Sequence, residues 1–307
     1  MEFISAAAEA RRLERLGNLQ AAIEIWRDVL TEDPGSADAH ASLSRVLFWA
    51  NRIRGAEAEA EAALQLDPEQ SQALLTLARI EFIRNRDKRG FAHLDAALEI
   101  NPQLIDAHVL RARAHRINGN LTRADHAISA ALTLEPSNEW ALLELGSLSR
   151  TRGDHEMARQ IASTILARDP DDASALVLVG YVLLDQGKRS EALDAALSAL
   201  NSDPSSEEAL ALIAAINVVR NPLIGGYWLI LHLLARLSAN KRWLLSCVIS
   251  LAYLMILTTM YWFGVPGPVR WVFMSLYLVM NLGLMATRQV IEWQVAREMR
   301  KVRLRPF

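Results

Sequence analysis

The sequence predicts an all-α fold, a solenoid of six helical pairs followed by a two-helix transmembrane hairpin. Three observations carry that prediction. Six Xaa-Pro pairs end at Pro34, Pro68, Pro102, Pro136, Pro170 and Pro204, 34 residues apart each time. Two uncharged runs, 243–263 and 271–287, follow them. The charge is also divided: 22 Lys/Arg against 33 Asp/Glu over residues 1–219, and 11 against 2 over 220–307. A fixed period of this length marks stacked helix–turn–helix units.

Aligning the repeats on their prolines shows what each position needs. Twenty-four residues before each proline stand Ala10, Ser44, Ala78, Ala112, Gly146 and Gly180. Twelve before it stand Ala22, Ala56, Gly90, Ala124, Ala158 and Ala192. All are small, so two helices can approach closely there. Seventeen before it stand Gly17, Asn51, Asn85, Gly119, Gly153 and Gly187. Glycine and asparagine best tolerate the left-handed conformation that ends a helix. Each repeat therefore reads as helix, tight turn, helix and a stop ahead of proline; the first pair is 6–16 and 19–31. This pattern resembles the tetratricopeptide repeat family, whose repeat is 34 residues long with small, Gly, Ala and Pro positions in this order. The resemblance covers residues 1–204 and implies a right-handed α-solenoid. His40, His108 and His115 stand where the family usually carries large aromatics.

After Pro204, Ser205-Ser206-Glu207-Glu208 is a helix start with acids in the first turn. It opens a helix over 209–219, so that 205–220 caps the last repeat. Asn221-Pro222 and Gly225-Gly226 then break the pattern and mark a domain boundary. Residues 221–242 form a juxtamembrane segment. Within it, Trp228 and Tyr227 suit the membrane–water interface. His232 and Arg236, four apart, share one helical face. Three readings of 223–237 stand open: a helix lying in the interface, an amphipathic helix packed on the last repeat, and a short span.

The run 243–263 is long enough to cross a hydrocarbon core, and 271–287 is at the short end of the range. Gly264-Val265-Pro266-Gly267-Pro268 turns between them, making 243–287 a hairpin. Trp243, Tyr261, Trp262 and Trp271 sit at the ends of the runs, as in an aromatic belt. Arg236, Lys241 and Arg242 flank one side. Arg288 and the basic tail 288–307, with Arg297, Arg300, Lys301, Arg303 and Arg305, flank the other. The turn carries only Arg270. The positive-inside rule then places both termini in the cytoplasm, and the hairpin anchor suggests a bacterial inner membrane. The lone Cys247 excludes an intrachain disulfide and is compatible with a reducing compartment. The start, Met1-Glu2-Phe3-Ile4-Ser5, does not read as a secretory signal.

No catalytic residue, cofactor site or metal site is read from the sequence. It has no phosphate-cradling loop, dinucleotide fingerprint, zinc-binding HExxH or nucleophile elbow. His108 and His115, seven apart, are read as structural rather than as metal ligands. The acidic body argues against nucleic acid as the main ligand.

One constellation suggests binding. Arg11, Arg45, Arg79 and Arg113 are 34 apart and stack on one face of four successive repeats. The resemblance implies that this position faces the concave groove. Phe48 and Phe82 lie three residues after two of these arginines, and Arg116 and Arg150 hold the phenylalanine position in the next two repeats. Arginine donates in a planar fork that matches carboxylates, so the strip suits an acidic segment. The alternative is that these arginines pair with acids on neighbouring helices, such as Glu81 or Asp106. The chaperone-tail-binding set of Lys and Asn is missing. The resulting expectation is a non-enzymatic, membrane-anchored scaffold that recruits a protein partner at the cytoplasmic face. The alternatives are a structural subunit or assembly factor of a larger membrane complex, and a membrane-perturbing effector regulated by its solenoid. The sequence does not set an oligomeric state.

Overall fold

The computed structural model describes residues 2–204 and 206–220, together with scattered positions between 253 and 275. The stretch 2–220 holds thirteen α-helices: α1 (Glu2–Arg15), α2 (Leu19–Glu32), α3 (Ala37–Trp49), α4 (Ile53–Leu66), α5 (Ser71–Ile83), α6 (Asp87–Ile100), α7 (Ile105–Ile117), α8 (Leu121–Leu134), α9 (Glu139–Arg152), α10 (His155–Leu166), α11 (Ala173–Asp185), α12 (Arg189–Ser202) and α13 (Glu207–Arg220). The proline period predicts the six pairs, and the helix start after Pro204 predicts the terminal helix. The first helix starts earlier than the pattern indicated, at Glu2 rather than residue 6.

The described residues fall into two compact units. One comprises the residues up to Ala114 with His126–Pro136; the other comprises His115–Asp125 with the residues from Ser137 onward. Each is a run of stacked helical pairs, and the fold class is the all-α, tetratricopeptide-type solenoid.

The turn inside each pair has one design. Gly17, Asn51, Asn85, Gly119, Gly153 and Gly187 all have positive φ, between 56° and 88°. In the fourth pair the Gly119 N–H bonds to the Arg116 carbonyl and the Asn120 N–H to the His115 carbonyl, at 3.0 and 2.8 Å. The other five turns repeat the same two bonds. This satisfies carbonyls that a helix end otherwise leaves open. The turn between pairs is equally regular. Asp33, Asp67, Asn101 and Asp169 each accept the backbone N–H two residues on, across the proline. Short polar side chains do this by folding back on their own backbone, which is why Asp or Asn so often precedes the proline.

All twelve small positions are buried. A methyl group built at Gly146 would lie 2.5 Å from Leu178 Cδ2, and one at Gly180 would run into Leu212. Leu212 belongs to α13. With Ala209, Ile213 and Ile216 it packs on Val177, Leu184, Ala192 and Ala196 of α11 and α12. Ser206 starts this helix by accepting the Ala209 N–H at 3.2 Å. α13 thus covers the apolar face that the sixth pair leaves open.

His40 and His108 replace aromatics but keep a structural role. Each presents Nε2 to the carbonyl of the proline six residues back, Pro34 at 3.2 Å and Pro102 at 2.9 Å. His40 Nδ1 also meets Glu59 at 2.6 Å. Among the described residues no cluster of His, Cys, Asp and Glu is arranged to hold a metal ion.

Two glycines should fail for different reasons when enlarged. Gly153→Ala meets no atom within 4 Å, so only its φ of +88° opposes the change. It should cost about 1–2 kcal/mol. Gly180→Ala is opposed by Leu212 instead. Urea midpoints should show Leu212→Ala partly rescuing Gly180→Ala, a favourable coupling in the double-mutant cycle, and should show no such rescue of Gly153→Ala.

Candidate partner-binding face

The predicted binding residues all lie on the first helices of their pairs. In the first unit Arg11 is on α1, Arg45 and Phe48 on α3, Arg79 and Phe82 on α5, and Arg113 on α7. In the second unit Arg116 is on the end of α7 and Arg150 on α9.

Their contacts follow a rule that the alignment of equivalent positions did not reveal. In three places the residue twenty before a proline touches the residue twenty-three before the next proline, 31 positions further on. Arg45 Nη2 donates to Glu14 at 2.6 Å. Arg79 lies 6.0 Å from the centre of the Phe48 ring. Arg150 lies 4.9 Å from the centre of the Tyr181 ring. The first pair is ionic. The other two are cation–aromatic, with the two partners exchanged between the helices. A guanidinium stacked on an aromatic face adds attraction of about 0.5–2 kcal/mol, more when desolvated.

Most of these arginines also have acids beside them. Arg79 Nη2 donates to Asp106 at 3.1 Å. Arg116 grips Glu144 through Nε and Nη2, at 2.6 and 3.2 Å. Arg150 meets Asp185 at 2.8 Å. Glu14, besides holding Arg45, accepts the indole N–H of Trp26 at 2.8 Å. The alternative raised from sequence therefore describes Arg45, Arg79, Arg116 and Arg150: they are paired within the fold, and Asp106 is the partner of Arg79 as foreseen. Glu81 pairs elsewhere, with Arg84 and Arg86.

Arg11 and Arg113 differ. Both are exposed, and neither makes a hydrogen bond or ion pair with the described residues. Phe82, which by the 31-residue rule would meet Arg113, packs edge-on against Phe91 instead, with ring centres 5.2 Å apart. Gly90 leaves room for that ring; a methyl there would sit 2.7 Å from Phe82 Cε1. The Phe82–Arg113 rung is therefore open.

Arg79 is the electrostatic centre of this face. Only 8% of its surface is exposed, and its Nη1 has no hydrogen-bond partner among the described residues. Burial holds its pKa below the ordinary arginine range; Asp106 opposes that shift, and Arg45 and Arg113 reinforce it. Trp49 lies over the guanidinium at 5.0 Å and is half exposed. Trp49 and Ile83 hold the same repeat position and are both exposed, at 53% and 57%. The sequence reading did not include these two. Their signal was an apolar side chain 19 residues before the proline, where a buried role was not required.

Of the membrane-interface residues, Trp228, Arg236, Lys241, Arg242, Trp243, Trp271 and Arg288 lie outside the described residues. Trp262 is described: it is helical and 90% exposed. Among the described residues no helix is long and apolar enough to cross a membrane.

A periodic helical stack with a mixed cationic and apolar face defines a class of helical-repeat protein. Comparison gives the family. Tetratricopeptide repeat models match residues 13–80, 109–173 and 151–207, together more than half of the chain. The chain belongs to the tetratricopeptide repeat family. Solved structures agree on the fold. A chain of the APC/C hetero-tetramer Cut9-Hcn1 is 16% identical, with a TM-score of 0.58 over 70% of this chain. This protein spans only 43% of that chain's length. The type IV pilus biogenesis factor PilW is 18% identical, with a TM-score of 0.52 over 69% of this chain and 99% of its own. A thermophilic repeat protein of Thermus thermophilus is 22% identical, with a TM-score of 0.51 over 59% of this chain and 99% of its own. No curated protein matches the chain.

The two sorts of arginine should separate on substitution. Arg116→Ala strands Glu144, whose side chain is only 8% exposed. Breaking such a pair from one side typically costs about 3–5 kcal/mol. Arg113→Ala should shift stability by no more than about 0.5 kcal/mol, as at other exposed sites. Thermal melts of the two variants test the assignment.

Proposed function

We propose that this protein is a membrane-anchored scaffold without catalytic chemistry of its own, and that it holds a protein partner on the first-helix face of its repeats. The observation that carries the binding half is the open part of that face: Arg11, Arg113 and Ile83 are exposed, and Trp49, whose ring meets Arg79, still has half its surface exposed. Exposed aromatic and arginine side chains together are what interface centres are enriched in.

The membrane half rests on sequence. The uncharged runs 243–263 and 271–287 are long enough to span a bilayer as a hairpin. Basic residues flank them on the outer sides, and the turn between them holds one arginine. Where residues of the first run are described, Met255, Tyr261, Trp262 and Phe263 are exposed large apolar side chains, as lipid contact requires. On this reading both termini, the repeats and the tail 288–307 lie on the cytoplasmic side of a bacterial inner membrane, and the partner is met there.

Topology is tested with cysteines in a Cys247→Ser background. One placed at Val265 should react with an impermeant thiol reagent in intact cells, and one placed at Glu69 should not. The reverse pattern overturns the orientation. A photo-crosslinking residue at Ile83 should trap one defined protein, and one at Glu24 should not. Equal trapping at both positions removes the first-helix face from the reading.

A further inference from the structure

The two kinds of turn in the first unit carry opposite charge. The segments that turn each first helix into the second, 16–21, 50–55 and 84–89, hold six Lys/Arg and one Asp. The segments that lead from one pair to the next, 31–38, 65–72 and 99–106, hold seven Asp/Glu and no Lys/Arg. Helices that run up and down in alternation place the first set along one edge of the unit and the second set along the other. Hydrogen bonds tie neighbouring pairs together at each edge. On the basic edge Arg52 Nη2 donates to Gln20 and Arg84 Nη2 to Glu57, both at 2.7 Å. On the acidic edge Gln70 Nε2 donates to Asp38 at 2.7 Å.

Most of the basic charge is unspent. Arg54, Lys88 and Arg89 are exposed and make no hydrogen bond or ion pair with the described residues. Arg52 is exposed too, and its partner Gln20 leaves the charge uncancelled. Arg84 and Arg86 meet carboxylates, Glu57 and Glu81. Leu16 stands at the same edge with 69% of its surface exposed, the most of any large apolar side chain described within residues 2–220. A helix of 13 residues such as α3 holds the two edges about 20 Å apart. That exceeds the screening length of about 8 Å at physiological salt, so the acids of one edge do not cancel the cations of the other. A surface built for solubility alone intersperses the signs; here they are sorted by edge.

We propose that the edge formed by the turns at Gly17, Asn51 and Asn85 docks on an anionic lipid surface, with Arg52, Arg54, Lys88 and Arg89 at headgroup depth and Leu16 in the interface. This rests on the reading of the chain as membrane-anchored, which sets the repeats beside a cytoplasmic leaflet whose surface is negative. A row of cations at turn tips matches a plane of charge and needs no pocket. The acidic edge then faces away from the bilayer. The first helices run from one edge to the other, so their face stays open to a protein partner. Trp49 and Ile83 belong to that face and are not part of the lipid contact.

The test uses the full chain in a Cys247→Ser background, reconstituted in vesicles of seven parts phosphatidylcholine to three parts phosphatidylglycerol, with a nitroxide on some headgroups. A nitrobenzoxadiazole probe is attached through Leu16→Cys, or through Glu69→Cys on the acidic edge. The nitroxide should quench the first probe several-fold more than the second. The excess should disappear in pure phosphatidylcholine vesicles and at high salt. Each basic residue near such a leaflet is worth about fivefold in partitioning, so Arg54→Glu, Lys88→Glu and Arg89→Glu together should cut docking by about a hundredfold. The melt should stay that of the parent. Arg54→Lys with Arg89→Lys should leave docking intact, because a lipid surface responds to the charge and not to the planar fork. Equal quenching at both positions overturns the proposal, as does quenching at Leu16 that survives the charge reversal. A Leu16 probe shielded only as protein density rises, in either lipid, assigns the basic edge to the acidic edge of a second copy and overturns it too. So does a probe that responds to duplex DNA in detergent and not to anionic vesicles. Alkaline carbonate extraction separates docking from anchoring. A chain that resists extraction with its Leu16 probe unquenched keeps the anchor and loses the docking edge. A chain that is extracted, yet is quenched at Leu16 on anionic vesicles, loses the anchor and keeps the edge.

Discussion

The close approach of two helices at their small residues is the constraint on which the rest depends. Ala10 and Ala22, and their counterparts down to Gly180 and Ala192, are buried in every repeat. Interiors pack at the density of organic crystals, so an extra carbon at such a crossing has nowhere to go. Once each crossing is fixed, the larger side chains find their neighbours by default. Trp26, Ile23 and Leu43 fill the first cluster, and Leu75 and Leu94 a later one. The left-handed turn has the same origin. A pair that packs this closely leaves few residues to reverse direction, and glycine or asparagine with positive φ does so while bonding the last carbonyls.

Between pairs, charge is added to packing. The 31-residue offset brings non-equivalent positions together, and the chain meets that demand with different chemistries: acid with arginine, phenylalanine with arginine, arginine with tyrosine. The exchange of sides between Phe48–Arg79 and Arg150–Tyr181 shows that the pair is what the interface requires, not the residue at either position. Where the pair is incomplete, at Phe82 and Arg113, the aromatic ring has found Phe91 and the cation remains in solvent. An unfilled place in a regular series is where a repeat protein can differ from its neighbours in what it recognises.

The legible features in the sequence were those decided within one repeat. Gly153 and Asn85 announced their conformation because few other residues adopt it. Pro34 and its successors announced a stop because proline has no N–H to continue a helix. The capping helix showed itself through Ser206 and the acids after it, although it runs from Glu207 to Arg220, a little longer than its apolar pattern. Partners across repeats were less legible. The spacing of Arg45, Arg79 and Arg113 was visible, but equal spacing says nothing about which residue sits opposite. Arg79 stacks on Phe48 and Trp49 of the preceding repeat and meets Asp106 of the next, so its burial is set by two neighbours at once. Trp49 and Ile83 were missed because their exposure is decided by what does not cover them, a property no local pattern records.

α13 closes the stack by laying Leu212 and Ile213 over the sixth pair, and the chain leaves the repeats at its far end, Arg220. The lid of the stack is therefore also its handle. Any pull on the chain beyond Arg220 enters the repeats through α13 and acts first on the Leu212–Gly180 contact. Repeats of this kind lose order one neighbour at a time, so such a load would begin with the last pair and work inward.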